Sequence, residues 1–76
     1  MEITWTTEYS LFVTDSEMKD MVDIAREYMR EGIDQEEAIE GAVRDYLAGQ
    51  DDSIFYSITI EATEQIEAEV NKLLME

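Results

Sequence analysis

The sequence predicts a small α+β domain whose elements follow the order β-α-α-β-α. Residues 2–13 alternate between apolar and polar side chains, as a strand does, and residues 54–60 do the same. Three further segments repeat apolar residues at helical spacing. Two strands, or three if residues 2–13 form a hairpin, would pair in one small sheet covered by helices. The 76 residues suit one domain over residues 1–76.

The N-terminal segment has the composition of a strand. Ile3, Trp5 and Leu11 fall on one face, and most of the residues between them are polar or β-branched. A strand that spans all of residues 2–13 is long for a domain of this size, so a bend near Thr7 or a tight hairpin is expected as an alternative.

Capping signals mark the first two helices. Thr14 and Glu17 have the spacing of a capping box, in which the hydroxyl and the carboxylate each accept a backbone N–H bond. This helix should end at Gly32, because glycine adopts the left-handed conformation that closes many helices. Asp34 is placed to cap the second helix, and Gly49 to end it.

The last two predicted elements are a strand and a helix. Ile54, Tyr56, Ile58 and Ile60 alternate with less apolar residues, which predicts the second strand, and residues 62–75 have helical periodicity. The resulting core prediction draws on every element: Ile3, Trp5, Leu11, Val22, Ala25, Ile39, Val43, Leu47, Ile58, Ile66, Val70 and Leu73.

The composition argues against catalysis. Cysteine and histidine are both absent, so disulfides, thiolate metal sites and the usual general base are excluded. No nucleophile motif or glycine-rich phosphate loop is present, and Asp51-Asp52-Ser53 lacks the alternating ligands and central glycine of a calcium loop. We therefore expect no enzyme activity, no cofactor and no metal.

The net charge of −15 is the most unusual property of the chain. Residues 31–52 hold eight acids and one base, Arg44, whereas residues 17–30 are nearly balanced. Nucleic acid and anionic lipid both require Lys and Arg at their phosphates, so direct binding to either is disfavoured. A basic protein is the expected partner.

The acidic excess predicts a partner-binding surface that runs from the second helix to the start of the last one. Carboxylates three or four residues apart on a helix lie about 5–6 Å apart. Duplex DNA carries one phosphate charge per roughly 1.7 Å of axis, so an acidic helical face can stand in for a row of phosphates. Some of these acids also lie in first turns, where the helix dipole alone favours them. The predicted partner-binding residues are Glu36, Glu37, Glu40, Asp45, Asp51, Asp52, Glu64 and Glu67.

Two functional hypotheses follow, from different classes. The first is a non-enzymatic inhibitor that occupies the basic site of a nucleic-acid-binding protein, as a phage-type anti-restriction or anti-CRISPR protein would. The second is a regulatory adaptor or antitoxin-like module that binds a protein through an apolar groove, with the charge serving solubility. A third explanation is adaptation to a high-salt cytoplasm. The identity of the partner and the oligomeric state, including a homo-oligomer, stay open.

The sequence also predicts a cytoplasmic protein, in the host cytoplasm if it is phage-encoded. Residues 1–16 contain no Lys or Arg, so the positive start of a signal peptide is missing. No apolar run reaches the length of a membrane span.

The charge leads to a prediction about salt. Raising the ionic strength from about 0.01 M to about 0.15 M should raise the melting temperature, because the Debye length falls from about 30 Å to about 8 Å and self-repulsion is screened. Thermal melts followed by circular dichroism at increasing sodium chloride concentration measure this change in melting temperature. A melting temperature that stays constant or falls would mean that the charges are already paired or widely dispersed.

Overall fold

The computed structural model describes residues 1–6 and 8–76. In these residues an antiparallel two-stranded hairpin precedes four helices, so the α+β class is confirmed and the predicted order β-α-α-β-α is wrong. The predicted bend near Thr7 lies outside the described residues. The elements are β1 (Glu2–Thr4), β2 (Ser10–Phe12), α1 (Asp15–Arg30), α2 (Gln35–Ala48), α3 (Asp52–Ser57) and α4 (Ile60–Leu74).

The N-terminal segment adopts the hairpin alternative. Ile3 pairs with Leu11, and both side chains are buried on the face that meets the helices. Beyond the ladder, the Trp5 amide donates to the Tyr9 carbonyl at 3.3 Å, and the two rings stack with centroids 6.4 Å apart. The alternation along residues 2–13 is thus real, but it belongs to two short strands.

The capping residues of α1 and α2 are those that the sequence predicts. The Glu17 amide donates to the Thr14 hydroxyl at 3.1 Å, and the Thr14 amide donates to the Glu17 carboxylate at 3.0 Å. The Glu37 amide donates to the Asp34 carboxylate at 2.9 Å at the start of α2. Each cap satisfies backbone donors that the first helical turn leaves without a partner.

The turn between α1 and α2 is closed by Gly32. Its φ of +96° is the left-handed conformation that side chains disfavour. The Gly32 amide donates to the Met29 carbonyl and the Ile33 amide to the Tyr28 carbonyl, both at 3.1 Å. This pair of bonds is a Schellman motif, which fixes the direction in which the chain leaves α1.

The prediction of a second strand over residues 54–60 is wrong. Residues Asp52–Ser57 form α3, Ile58 is extended, and the Thr59 side chain caps α4 by accepting from the Ala62 amide at 3.1 Å. Helix α4 therefore begins at Ile60, ahead of the predicted residue 62. The Asp51 carboxylate accepts from the Ser53 amide at 2.9 Å, which gives α3 a start signal of its own.

The segment is divided between two helices, which explains the error: Ser57 ends α3, Ile58 is extended and Ile60 begins α4. Ile54 and Ile58 are four residues apart and point inward, where both are half-buried. Tyr56 and Ile60, also four apart, point outward with 81% and 75% of their surface exposed. A strand would have placed all four on one face.

The core lies where α1, α2 and α4 meet under the hairpin. Of the predicted core, Trp5, Ile58 and Leu73 are half-buried at its edge, and the rest are buried. None of the described helices is long and apolar enough to cross a membrane. The buried residues are Ile3, Leu11, Val13, Met18, Met21, Val22, Ala25, Ala38, Ile39, Ala42, Val43, Leu47, Ala62, Ile66 and Val70.

The packing of α2 leads to a prediction about folding. Val43 is fully buried, so Val43→Asp should abolish the cooperative transition, because an unpaired buried charge costs several kcal/mol. Ile58→Asp should lower the urea midpoint less, since Ile58 is half-buried, and Phe12→Asp should change it least, since Phe12 is 62% exposed. Urea titrations followed by far-ultraviolet circular dichroism rank the three. A Val43→Asp variant with the parent midpoint would contradict this packing.

Candidate partner-binding surface

The structure brings together four of the eight predicted partner-binding residues. Glu36 and Glu40 on α2 and Glu64 and Glu67 on α4 line one groove of about 450 Å³ between the two helices. We call this cleft the acidic groove. Glu67 is partly buried, whereas the other seven predicted residues are exposed.

The acidic groove is held by contacts between α2 and α4. The Gln35 side-chain amide donates to the Asn71 side-chain oxygen at 2.6 Å, joining the start of α2 to the end of α4. Ile39 and Ala68 contribute apolar surface between the carboxylates. Further along α2, Glu40 lines a cleft together with Glu67, which precedes Asn71 on α4. The two helices therefore run in opposite directions, with a row of carboxylates on each wall of the groove.

The pKa of Glu67 shows the effect of several neighbouring negative charges in the acidic groove. Burial raises the pKa of its carboxyl group, and the charges of Glu40 and Glu64 raise the pKa further, while Arg44 opposes them. Partial desolvation and nearby like charges both disfavour the ionised form. The ionised carboxylate of Glu67 therefore destabilises the free protein.

Positive charge is concentrated elsewhere. In residues 1–6 and 8–76 the ion pairs are Arg26 with Asp23 at 3.8 Å and Arg30 with Glu27 at 3.6 Å, both exposed on α1. Arg44 borders the clefts that Glu40 and Glu67 line, but no ion pair within 4.0 Å joins it to either. The excess of acid predicted for the α2 region therefore persists in three dimensions.

Asp45 and Glu37 lie outside the acidic groove, on the side of α2 that faces α1. The Tyr28 hydroxyl donates to the Asp45 carboxylate at 2.5 Å, and this bond raises the pKa of Tyr28. Glu37 lines a cleft with Tyr28 and Gly41. A Cβ on Gly41 would lie 3.1 Å from the Tyr28 ring, so the absence of a side chain at Gly41 leaves room for the ring. Asp45 thus joins two helices.

Asp51 and Asp52 lie at the start of α3, apart from the acidic groove. The Asp51 carboxylate accepts from the Ser53 amide and, at 3.0 Å, from the Ser53 hydroxyl. The backbone bond, followed by the hydroxyl bond, lowers the pKa of Asp51. Asp52 is exposed in the first turn. Asp51 is a helix cap as well as a surface charge.

Three exposed apolar residues lie on α3 and at the start of α4, and two of them, Tyr56 and Ile60, belong to the apolar face of the predicted second strand. Phe55, Tyr56 and Ile60 expose 36%, 81% and 75% of their surface. The Phe55 and Tyr56 rings meet edge to face with centroids 5.1 Å apart. Phe55 shares a cleft with Glu40 and Glu67. The capping residues Asp51 and Thr59 were the signals that would have placed these residues on two helices.

The crowding around Glu67 leads to a pH prediction. Its raised pKa means that ionisation costs the native state more than the unfolded chain, so Glu67→Gln should raise the melting temperature at pH 7 by about 1–4 °C, allowing for solvent screening. The difference between variant and parent should shrink as pH falls through the raised pKa and vanish below 4.5, the ordinary value, where the carboxyl group is protonated in both states.

Glu2→Gln, on the exposed side of β1, is the matched control because it removes the same unit of charge. Thermal melts between pH 7 and pH 4 measure both variants. Equal gains from Glu2→Gln and Glu67→Gln would show that only the net charge matters and that the groove has no special electrostatics.

Comparison of the chain with protein-family models, curated proteins and solved structures finds no match. Among the described residues, no group of three or more acidic side chains is arranged to hold a metal ion. What the site can bind is therefore argued from its own charges, shape and exposed rings.

Proposed function

We propose that this chain is a non-enzymatic acidic binding protein that inhibits a nucleic-acid-binding protein by occupying its basic site. The observation that carries the proposal is the acidic groove, where Glu36 and Glu40 face Glu64 and Glu67 across a cleft. Lysine and arginine side chains that normally contact phosphates would enter this cleft. Anti-restriction and anti-CRISPR inhibitors are the functional class that fits such a surface.

The geometry of the acidic groove supports mimicry of a phosphate backbone. Within each wall the carboxylates are one helical turn apart, about 5–6 Å. Both walls stand on helices that pack into the same core, so their charges are held in place before binding. A surface ordered in advance loses less conformational entropy on association than a flexible acidic tail does.

The raised pKa of Glu67 supports the proposal energetically. Repulsion and desolvation penalise the ionised groove in the free protein, and cations from a partner would replace the repulsion with attraction, which offsets the further desolvation on binding. Complex formation should therefore lower the pKa of Glu67 and release a fraction of a proton near that pKa. The repulsion present in the free state thus becomes a source of binding free energy.

A second candidate is an adaptor or antitoxin-like module that binds through apolar surface. The observation that favours it is the exposure of Tyr56 and Ile60, which contact little of the chain itself. The salt dependence of binding separates the two candidates. Phosphate mimicry loses affinity steeply with rising salt, whereas apolar docking changes little.

The functional prediction concerns charge-neutralised variants. A pull-down from cells that carry restriction or CRISPR nucleases identifies the partner, and the variants then compete with DNA for it. The double variants Glu36→Gln with Glu40→Gln and Glu64→Gln with Glu67→Gln should each slow association and flatten the salt dependence. If a carboxylate is desolvated against a partner cation, losing it should cost about 2–5 kcal/mol of binding.

Two comparisons make the assay specific to the groove. Asp51→Asn with Asp52→Asn should weaken binding less, because Asp51 is engaged as a helix cap. Glu2→Gln with Glu8→Gln should leave inhibition unchanged, since these exposed residues belong to the hairpin segment. If both groove variants compete like the parent while an apolar substitution abolishes binding, the adaptor function replaces the inhibitor.

A further inference from the structure

An apolar patch adjoins the acidic groove. We call Phe55, Tyr56 and Ile60 the ring patch. None of the three is buried, and Tyr56 and Ile60 are the most exposed large apolar side chains on α3 and α4. Solvent exposure of an edge-to-face pair of rings is unfavourable in the free protein, which marks the patch as a candidate contact surface.

Carboxylates surround the ring patch. Asp52 lies one turn before Tyr56 on α3, and Glu64 lies one turn after Ile60 on α4. Phe55 borders the same cleft as Glu40 and Glu67, which outnumber the one base there, Arg44. Any molecule that covers the rings therefore meets negative charge at the edges of its footprint.

The charge around the ring patch selects among the possible occupants. A second copy packed about a twofold axis would bring the same carboxylates of two −15 chains together, which like-charge repulsion opposes. An anionic membrane is opposed for the same reason. A cationic protein surface matches both the rings and the carboxylates.

We propose that the ring patch receives arginine side chains of the basic partner and makes the surface selective for arginine over lysine. A guanidinium can stack on an aromatic face while its N–H groups bond a carboxylate in a fixed fork, whereas an ammonium is a compact, strongly hydrated charge. The inference rests on the proposed function and specifies its partner chemistry: Phe55 and Tyr56 offer the faces, and Asp52, one turn before Tyr56, and Glu67, which shares a cleft with Phe55, offer the acceptors. The acidic groove supplies charge, and the ring patch discriminates between the two cations.

The test uses two synthetic probes of equal charge, a nona-arginine and a nona-lysine peptide, each titrated into the full chain. Fluorescence anisotropy gives both dissociation constants, and their ratio is the readout. Tyr56→Ser should reduce the preference for arginine about two- to five-fold, the size of an exposed cation–π contact, whereas Ile60→Ser removes no aromatic face and should leave the preference unchanged. Phe12→Ser is the control, because Phe12 is also an exposed aromatic residue but lies on β2. The end of the hairpin that contacts α3 is the one at Trp5, whose indole N–H donates to the Ser57 hydroxyl, and Phe12 lies at the other end.

Each outcome decides between explanations. A ratio that falls in the Tyr56 variant and holds in the Ile60 and Phe12 variants supports the inference. A ratio that is the same in all three overturns it and leaves the acidic groove unaffected. If Glu36→Gln with Glu40→Gln fails to weaken either peptide, the proposed function is what fails. Sedimentation equilibrium covers the remaining case, because a dimer that Tyr56→Ser dissociates would assign the ring patch to a second copy and overturn the inference.

Discussion

Every other feature of this domain depends on the apolar contact between α1, α2 and α4. Three helices meet on small, fully buried residues such as Ala25, Ala42 and Ala62, which let their backbones approach closely. A chain of 76 residues buries only about 60% of the surface that it exposes when unfolded, so this contact must also offset the repulsion of a −15 surface. With neither cysteine nor histidine, no disulfide and no thiolate or imidazole metal site can share that role.

The sequence predicted structure best where two local signals agreed. At the start of α1, helical periodicity and the capping box of Thr14 and Glu17 point to the same residue, and the structure confirms it. At residues 54–60 only periodicity was used, and seven alternating residues did not reveal that α3 ends at Ser57 and α4 begins at Ile60. The overlooked signals were the capping residues Asp51 and Thr59, each of which accepts a backbone bond.

Only part of the acidic groove could be predicted from the sequence. Helical spacing places Glu36 and Glu40 on one side of α2 and Asp45 on another, and that separation could have been derived. The pairing of Glu40 with Glu67 depends on how α4 packs against α2, which is a contact between distant parts of the chain. The bond from Tyr28 to Asp45 likewise joins two helices, so no local pattern reveals that Asp45 has a partner within the fold.

The acidic residues therefore divide according to whether the fold itself uses them. Glu17, Asp34 and Asp51 accept backbone bonds, and Asp23 and Glu27 of α1 pair with arginines, so folding alone explains the positions of these five acids. The groove carboxylates have no such use among the described contacts, and Glu67 is held against burial and repulsion. Solubility would be served equally well by charges spread over the surface, and spreading them would avoid that cost. The concentration of unused carboxylates beside exposed rings is what a cationic partner would require, and it is the physical basis for the proposed binding role.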